Sequence, residues 1–354
     1  MIKRIFLIIS SRYFETKKNI NLFSEVYFKP KEKLSRLIYS LIYAKQPKFL
    51  NEEYKSFGNK NKDVNFFVVR LTIGAGLYSN YINALYMIYY ARKFNLEPII
   101  DYQNYPSYQR EKKGINGIKN SWNYFFNQPT KYSLKEVYSS KNVVLSDNNS
   151  KIYFDRLDFK DFYNLEVLSQ ESQLKELNEI SNSIKYNLST QKYIDNNLSK
   201  IFENKMNVIG IAVRGTDYNI KNFGKNHHKP FTSEEAIKKI KDVLGPDKEF
   251  DHVFICTEEQ EILDNFKKEF GERLLFTERP RHSKENYDYT KNVMSQKFNR
   301  KHDRYLSNLE YILEVEGLLR CDKVIGTFTN ALYYISIKNS EKKNDVEVFN
   351  YGIS

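Results

Sequence analysis

The chain has 354 residues, enough for two domains of ordinary size, each with its own buried core. Apolar residues make up 41% and charged residues 28%, and only 8 Pro and 13 Gly argue against long unstructured linkers. The formal charge of +12 invites nucleic acid, but Lys, Asn, Ile, Tyr and Phe are abundant together, which is the bias of an AT-rich genome rather than one basic face; no nucleic-acid partner is expected.

At the N-terminus, MIKRIFLIIS (1–10) is too short to span a bilayer and lacks a cleavage-site pattern, so a first strand or a short surface segment is expected. LSRLIYSLIYA (34–44) is apolar and short, and peripheral attachment to the face of an inner membrane is one expectation for it. Residues 1–60 form an N-terminal segment on this reading. VNFFVVRLTI (64–73) is a nearly continuous apolar run, the pattern of a strand buried on both faces. The tight turn Gly74-Ala75-Gly76 follows, then a helical pattern over 77–94 and a second strand, EPIID (97–101). Strand, glycine turn, helix and strand predict a Rossmann-like half over 61–200. Residues 102–150 carry the single tryptophan, Trp122, and read as irregular; QLKELNEISNSIKYNL (173–188) reads as a helix joining two halves.

From residue 207 strands and helices alternate. Strands are expected at 207–213, 252–257, 273–277, 323–328 and 346–350, with helices at 233–244, 258–270, 303–320 and 330–338. That alternation predicts a parallel sheet covered on both faces, a second Rossmann-like half over 201–354. Cys256 and Cys321 sit in apolar runs and suit buried, reduced thiols, hence a reducing, cytoplasmic compartment. No Cys/His spacing matches a zinc site, so no metal is expected.

Ligands of open parallel sheets bind beyond the carboxyl ends of the strands. In the second half those ends carry Arg214-Gly215-Thr216-Asp217, then Thr257-Glu258-Glu259, then Thr327-Phe328-Thr329-Asn330. An arginine with forked donors, and a helix start with hydroxyls and open N–H groups, suit a nucleotide diphosphate. Asp217 and Glu258 are placed to accept from base or ribose, or to orient Arg214. Each signal also has a plainer explanation: an Arg–Asp turn, carboxylates at the positive end of a helix, and an ordinary Thr N-cap. Their shared position on consecutive strand ends favours the site.

In order and spacing these residues resemble the donor domain of the α1,6-fucosyltransferases, including the rhizobial nodulation enzymes, and more distantly the protein O-fucosyltransferases. The family's His-x-Arg-Arg-x-Asp motif is similar to Ala212-Val213-Arg214-Gly215-Thr216-Asp217 here, with Gly215 in place of the second arginine and Ala212 in place of the histidine. Cys256-Thr257-Glu258-Glu259 resembles its acidic pair after a strand. Arg304-Tyr305 through Thr327-Phe328-Thr329-Asn330 resembles its Arg-Tyr helix and Thr-Phe-Ser-Ser turn, and His228 with Pro230 a His-Pro pair. The Gly-rich, Asn-containing loop of the superfamily is similar to 74–80, which brings in Gly76 and Asn80.

The resemblance implies a GT-B-type α/β fold, two Rossmann-like domains facing a cleft, and an inverting, metal-independent glycosyltransferase. It implies a GDP-fucose donor, no cofactor beyond that substrate, and a glycan acceptor such as a bacterial surface polysaccharide. Arg214 would grip the β-phosphate and act with Asp217 as the catalytic pair, while Thr216, Thr257, Glu258, Thr327, Phe328, Thr329 and Asn330 complete the donor site. Asp217, Glu258 and Asp303 are the candidates for the general base. Tyr102, Tyr105, Tyr108 and Trp122 are candidates to stack on acceptor sugars or to pack between domains, with Tyr105 and Trp122 taken as acceptor residues. Two alternatives stand beside this: another GDP- or UDP-sugar donor, or a catalytically silent nucleotide- or sugar-binding module, motivated by Ala212 and Gly215.

Overall fold

The computed structural model describes residues 50–70, 76–105, 107, 109–162, 164–216, 228–244, 250–288, 293, 296–341 and 345–352. The two N-terminal apolar segments, Gly74, Ala75, Tyr108 and Asp217 lie outside the described residues. The chain divides into two units, residues 1–47 and Lys48–Ser354, and both sheets belong to the second.

The first sheet contains β1 (Glu53–Lys55), β2 (Lys60–Val69), β3 (Glu97–Ile100) and β4 (Ser140–Leu145) in the order β1-β4-β2-β3. β2 pairs in parallel with both β3 and β4, while β1 closes the edge antiparallel to β4. The run Phe66–Val69 is fully buried, as an apolar strand covered on both faces should be. Helix α1 (Leu77–Lys93) returns the chain from β2 to β3 and buries most of its circumference. Two expectations change here. The boundary at residue 60 falls inside the sheet, because β1 and the start of β2 belong to it. The stretch 102–150 is not irregular throughout: its Val143, Val144 and Leu145 form an inner strand, β4, in a run too short to show a period.

Two short helices flank β4: α2 (Leu134–Val137) just precedes it, with a Ser133/Glu136 capping box, and α3 (Lys151–Leu157) just follows. The expected joining helix is two helices, α4 (Glu171–Ser183) and α5 (Leu188–Ile201). Ser181-Asn182-Ser183 are weak helix formers, and the Asn187 side chain accepts the Thr190 N–H to start α5 afresh.

The second sheet contains β5 (Val208–Ala212), β6 (His252–Cys256), β7 (Leu274–Leu275), β8 (Lys323–Thr327) and β9 (Asp345–Phe349). Its order is β7-β6-β5-β8-β9, every pair parallel. The crossovers run through α6 (Ser233–Leu244), α7 (Gln260–Phe270), α8 (Asp303–Leu318) and α9 (Asn330–Lys338). α5 packs on α8, so it belongs to this half although it precedes residue 201. α8 lies close on the sheet because Gly210 and Gly317 leave room: a Cβ on Gly210 would press into Leu318 and Cys321, and one on Gly317 into Phe254.

One apolar cluster runs through both halves, taking in Phe67, Tyr81 and Ile88 from the first and Leu313, Val324 and Ile335 from the second. Tyr86 and Tyr333 join hydroxyls across it at 2.8 Å. The outer faces of the sheets have separate, smaller clusters. Among the described residues no helix is long and apolar enough to cross a membrane.

Candidate functional site

The β5 turn is the centre of the site. β5 runs inside the sheet and hands over to Val213-Arg214-Gly215-Thr216. Thr216 is 1% exposed and takes φ +47°, a left-handed conformation that costs a β-branched residue energy. Two carboxylates after β6 hold it there. Glu258 Oε1 accepts the Gly215 N–H at 2.9 Å and the Thr216 hydroxyl at 3.0 Å, and lies 3.5 Å from Arg214 Nε. Glu259 Oε2 accepts the Thr216 N–H at 2.8 Å.

The two carboxylates have opposite electrostatics. Burial pushes the Glu258 carboxyl up, but the Arg214 guanidinium and the donors of the turn outweigh it and hold it below the usual carboxylate value. Burial raises Glu259, the Thr216 N–H opposes this, and the neighbouring Glu258 adds to it. Of the roles foreseen for Glu258, orienting Arg214 is the one its contacts serve. Gly215 has no space for a side chain: a Cβ would collide with the Glu259 carboxylate. The direction in which a side chain at 215 would leave the backbone is therefore taken by a carboxylate.

The strand order places Arg214 more sharply than the sequence could. From β5 the chain moves outward one way through β6 and β7, and the other way through β8 and β9. The topological switch point thus lies between β5 and β8, where open α/β sheets bind ligands. Ala212 pairs with Gly326, so Arg214 and Phe328 stand at the same level, two residues further along each chain. The Arg214 side chain is 21% exposed. Thr329 and Asn330 are half-buried, while Thr327 and Phe328 are buried. Thr329 caps α9, its oxygen accepting the Leu332 N–H at 3.2 Å, which leaves the hydroxyl proton to donate. Thr257 is buried, and its hydroxyl accepts the Glu259 N–H.

His228 adjoins this rim, its ring 5.1 Å from that of Phe328. The residue is 8% exposed; burial lowers its pKa, and the neighbouring Asn350 side chain opposes the shift.

A buried ionic group behind the rim escaped the sequence reading. Glu314, on α8, accepts from Arg281 Nη2 at 3.1 Å, pairs with Arg279 Nη1 at 3.2 Å, and takes the Thr277 hydroxyl at 3.1 Å. Arg281 also donates to the carbonyls of Thr257 and Thr277, tying the segment after β7 to the segment after β6. The strand-end rule, applied to Glu278-Arg279-Pro280-Arg281 after RLLFT, would have found it.

In the first half Gly76 starts α1 without a side-chain cap, and Asn80 donates to Gln109 Oε1 at 3.0 Å. Arg70, buried at the end of β2, donates to the carbonyls of Asn51 and Ser146 and lies over the half-buried Tyr105 ring at 5.4 Å. Trp122 does not offer a ring to an acceptor sugar: it is 3% exposed and packs on Tyr81, Phe126 and Tyr102, with Nε1 donating to the Asn127 carbonyl. That corrects its expected acceptor role. Asp303 is also spent, accepting from Arg300 Nε at 2.6 Å and from the Phe298 N–H. The start of α8 touches the first half, where the Tyr305 N–H donates to Glu111 and Arg304 to the Arg110 carbonyl. Among the described residues no group of three or more His, Cys, Asp or Glu could hold a metal ion.

No protein-family model and no curated protein matches the chain. Among solved structures it is similar to the fucosyltransferase NodZ from Bradyrhizobium, with 14% identity over 77% of this chain and 92% of that one, TM-score 0.42. A NodZ α-1,6-fucosyltransferase soaked with GDP-fucose gives 16% identity over 77% and 91%, TM-score 0.41. POFUT1 in complex with GDP-fucose gives 10% identity over 84% and 100%, TM-score 0.39. These three neighbours are fucosyltransferases by name, at low identity.

Proposed function

We propose that the chain is a glycosyltransferase that draws its sugar from a nucleoside diphosphate donor. The observation that carries this is Arg214, a permanent cation held by Glu258 at the β5/β8 switch point, level with the start of α9. The donor diphosphate lies between the Arg214 guanidinium and the N–H groups of the first turn of α9, with the Thr329 hydroxyl donating beside them. An acceptor oxygen attacks the anomeric carbon as the bond from that carbon to the diphosphate breaks. Its proton passes to a carboxylate, and negative charge collects on the departing diphosphate. A cation fixed there before the reaction stabilises that charge more than it stabilises bound substrate.

The finer assignments rest on the motif series. It supports GDP-fucose as donor, inversion at the anomeric carbon, no metal requirement, and two halves of GT-B type facing a cleft. The acceptor is a glycan, and a bacterial surface polysaccharide assembled at the cytoplasmic face of the inner membrane fits the series. With Glu258 and Asp303 committed to structural bonds, Asp217 keeps the role of base. Gly76 and Asn80 belong with the donor-binding residues, and Tyr105 with the acceptor-side rim.

A nucleotide panel followed by thermal unfolding tests the reading. GDP should raise the melting temperature of the wild type, and Arg214→Ala should abolish the rise. No rise with any nucleoside diphosphate overturns it. A second reading, nucleotide binding without transfer, is favoured by the motif departures at Ala212 and Gly215, where the Glu259 carboxylate leaves no room for a side chain at 215. It predicts the same rise with GDP and no turnover of GDP-fucose with any acceptor tried.

A further inference from the structure

Glu259 is the cap residue of α7, yet its carboxylate serves another part of the chain. It is turned to the Thr216 N–H, and the first helical N–H, that of Gln260, donates instead to the His282 carbonyl at 2.8 Å. His282 donates its own N–H to the Glu258 carbonyl at 2.9 Å and pairs with Glu259 as a single parallel bridge. The chain from Thr277 to His282 is thus a strap laid along the two residues whose carboxylates carry the Arg214 turn. β7 is two residues long and ends before the strap begins. Arg281 supplies the hold that the sheet does not. Its Nε donates to the Thr257 carbonyl at 3.2 Å, and its Nη2 to the Thr277 carbonyl at 2.9 Å and to Glu314 at 3.1 Å. One guanidinium therefore closes the strap on β6 and ties it to α8.

The Arg281 side chain is 2% exposed, so its influence on a ligand passes through the groups it binds. Those contacts are continuous. Arg281 and His282 fix the backbone from Thr257 to Gln260, and the carboxylates of Glu258 and Glu259 hold Gly215, Thr216 and Arg214. Thr216 stays at φ +47° only while those carboxylates stay in place. We infer that Arg281 is a positioning residue of the donor site, which holds the strap against β6 and thereby keeps Arg214 aimed at the donor diphosphate. This rests on the nucleotide-donor reading of the same site.

The test is calorimetric binding of GDP to the full chain and its variants. Arg281→Lys keeps a charge beside Glu314 but cannot also reach the Thr257 carbonyl, so GDP should bind about fivefold more weakly. In an Arg214→Lys background the same change should cost much less, because the group being aimed is already lost. By reciprocity, GDP should slow amide exchange at Gln260 and His282 of the wild type about fivefold more than exchange in β4. Ligand-free melting temperatures establish that each variant is folded, and the exchange measurement decides where Arg281→Lys does not fold. Three results overturn the inference and leave the donor reading intact: undiminished GDP affinity in folded Arg281→Lys, an equal loss in both backgrounds, or protection no greater at the strap than in β4. Wild type that binds no GDP overturns both.

Discussion

Gly215 and Glu259 exclude one another: the space a side chain at 215 would occupy is held by the Glu259 carboxylate, which also accepts the Thr216 N–H. The backbone of Gly215 does not lie in the left-handed region, so the requirement for glycine is one of space alone. The glycine and the glutamate therefore form one device: a side chain at 215 fits only where the Glu259 carboxylate is moved or removed.

That coupling is measurable. Gly215→Ala should lower stability by about 1–3 kcal/mol, the cost of a displaced carboxylate and an unpaired buried N–H. Combined with Glu259→Ala, the second change should cost less than it does alone. Chemical denaturation of the four proteins in the cycle reads the coupling, and strict additivity would contradict it.

Arg214→Lys keeps a positive charge but loses the forked donors, so GDP should bind more than tenfold more weakly while the fold persists. Arg214→Met should also reshape acid denaturation. Glu258 is held below its usual 4.5, so its contribution to stability is complete above that value and disappears as pH falls through the folded value. Without Arg214 much of that contribution is gone, and the acid-side loss of stability should be shallower. Unfolding monitored from pH 7 to pH 3 provides the comparison.

Glu259 has the opposite sign. Its carboxyl is raised by burial, so it favours folding below about 4.5 and loses that advantage as pH rises through the folded value. Glu259→Gln retains an oxygen for the Thr216 N–H and removes the charge. It should raise the melting temperature at pH 7, with the gain vanishing at pH 4. A destabilised Gln variant at pH 7 would refute this.

Glu314→Ala leaves Arg279 and Arg281 buried without their carboxylate and should cost about 3–5 kcal/mol. Because Arg281 ties the segments after β6 and β7 together, proteolysis should accelerate between residues 276 and 302 in this variant, ahead of the rest of the chain.

Trp122→Phe should lower thermal stability and leave the KM for any glycan acceptor unchanged. The wild-type indole should resist quenching by acrylamide, as a ring packed among Tyr81, Phe126 and Tyr102 must.

The alternation after residue 207 was legible because each strand there is a short apolar run flanked by amphipathic helices, and α6 and α9 agree with the expectation to the residue. β4 was not, because its three apolar residues sit behind Lys141 and Asn142 and gain their meaning only from pairing with β2. At the site, Arg214 and the acidic pair could be placed on strand ends. Which carboxylate oxygen holds which N–H could not, since those bonds join residues over forty positions apart. Asp303 and Trp122 looked functional as residue types; their partners, Arg300 and Tyr81, are distant or unpatterned in sequence. The arginines at 279 and 281 look like loop charges until Glu314 arrives from α8.

The apolar cluster shared by α1, α8 and α9 has a mechanical consequence. A hinge needs an interface that can part, and here parting would expose Tyr81, Tyr334 and the Tyr86–Tyr333 pair to water together. The two sheets should therefore unfold together, as one transition in calorimetry. Access for a substrate then depends on loops at the strand tips, leaving the sheets to keep those tips in register.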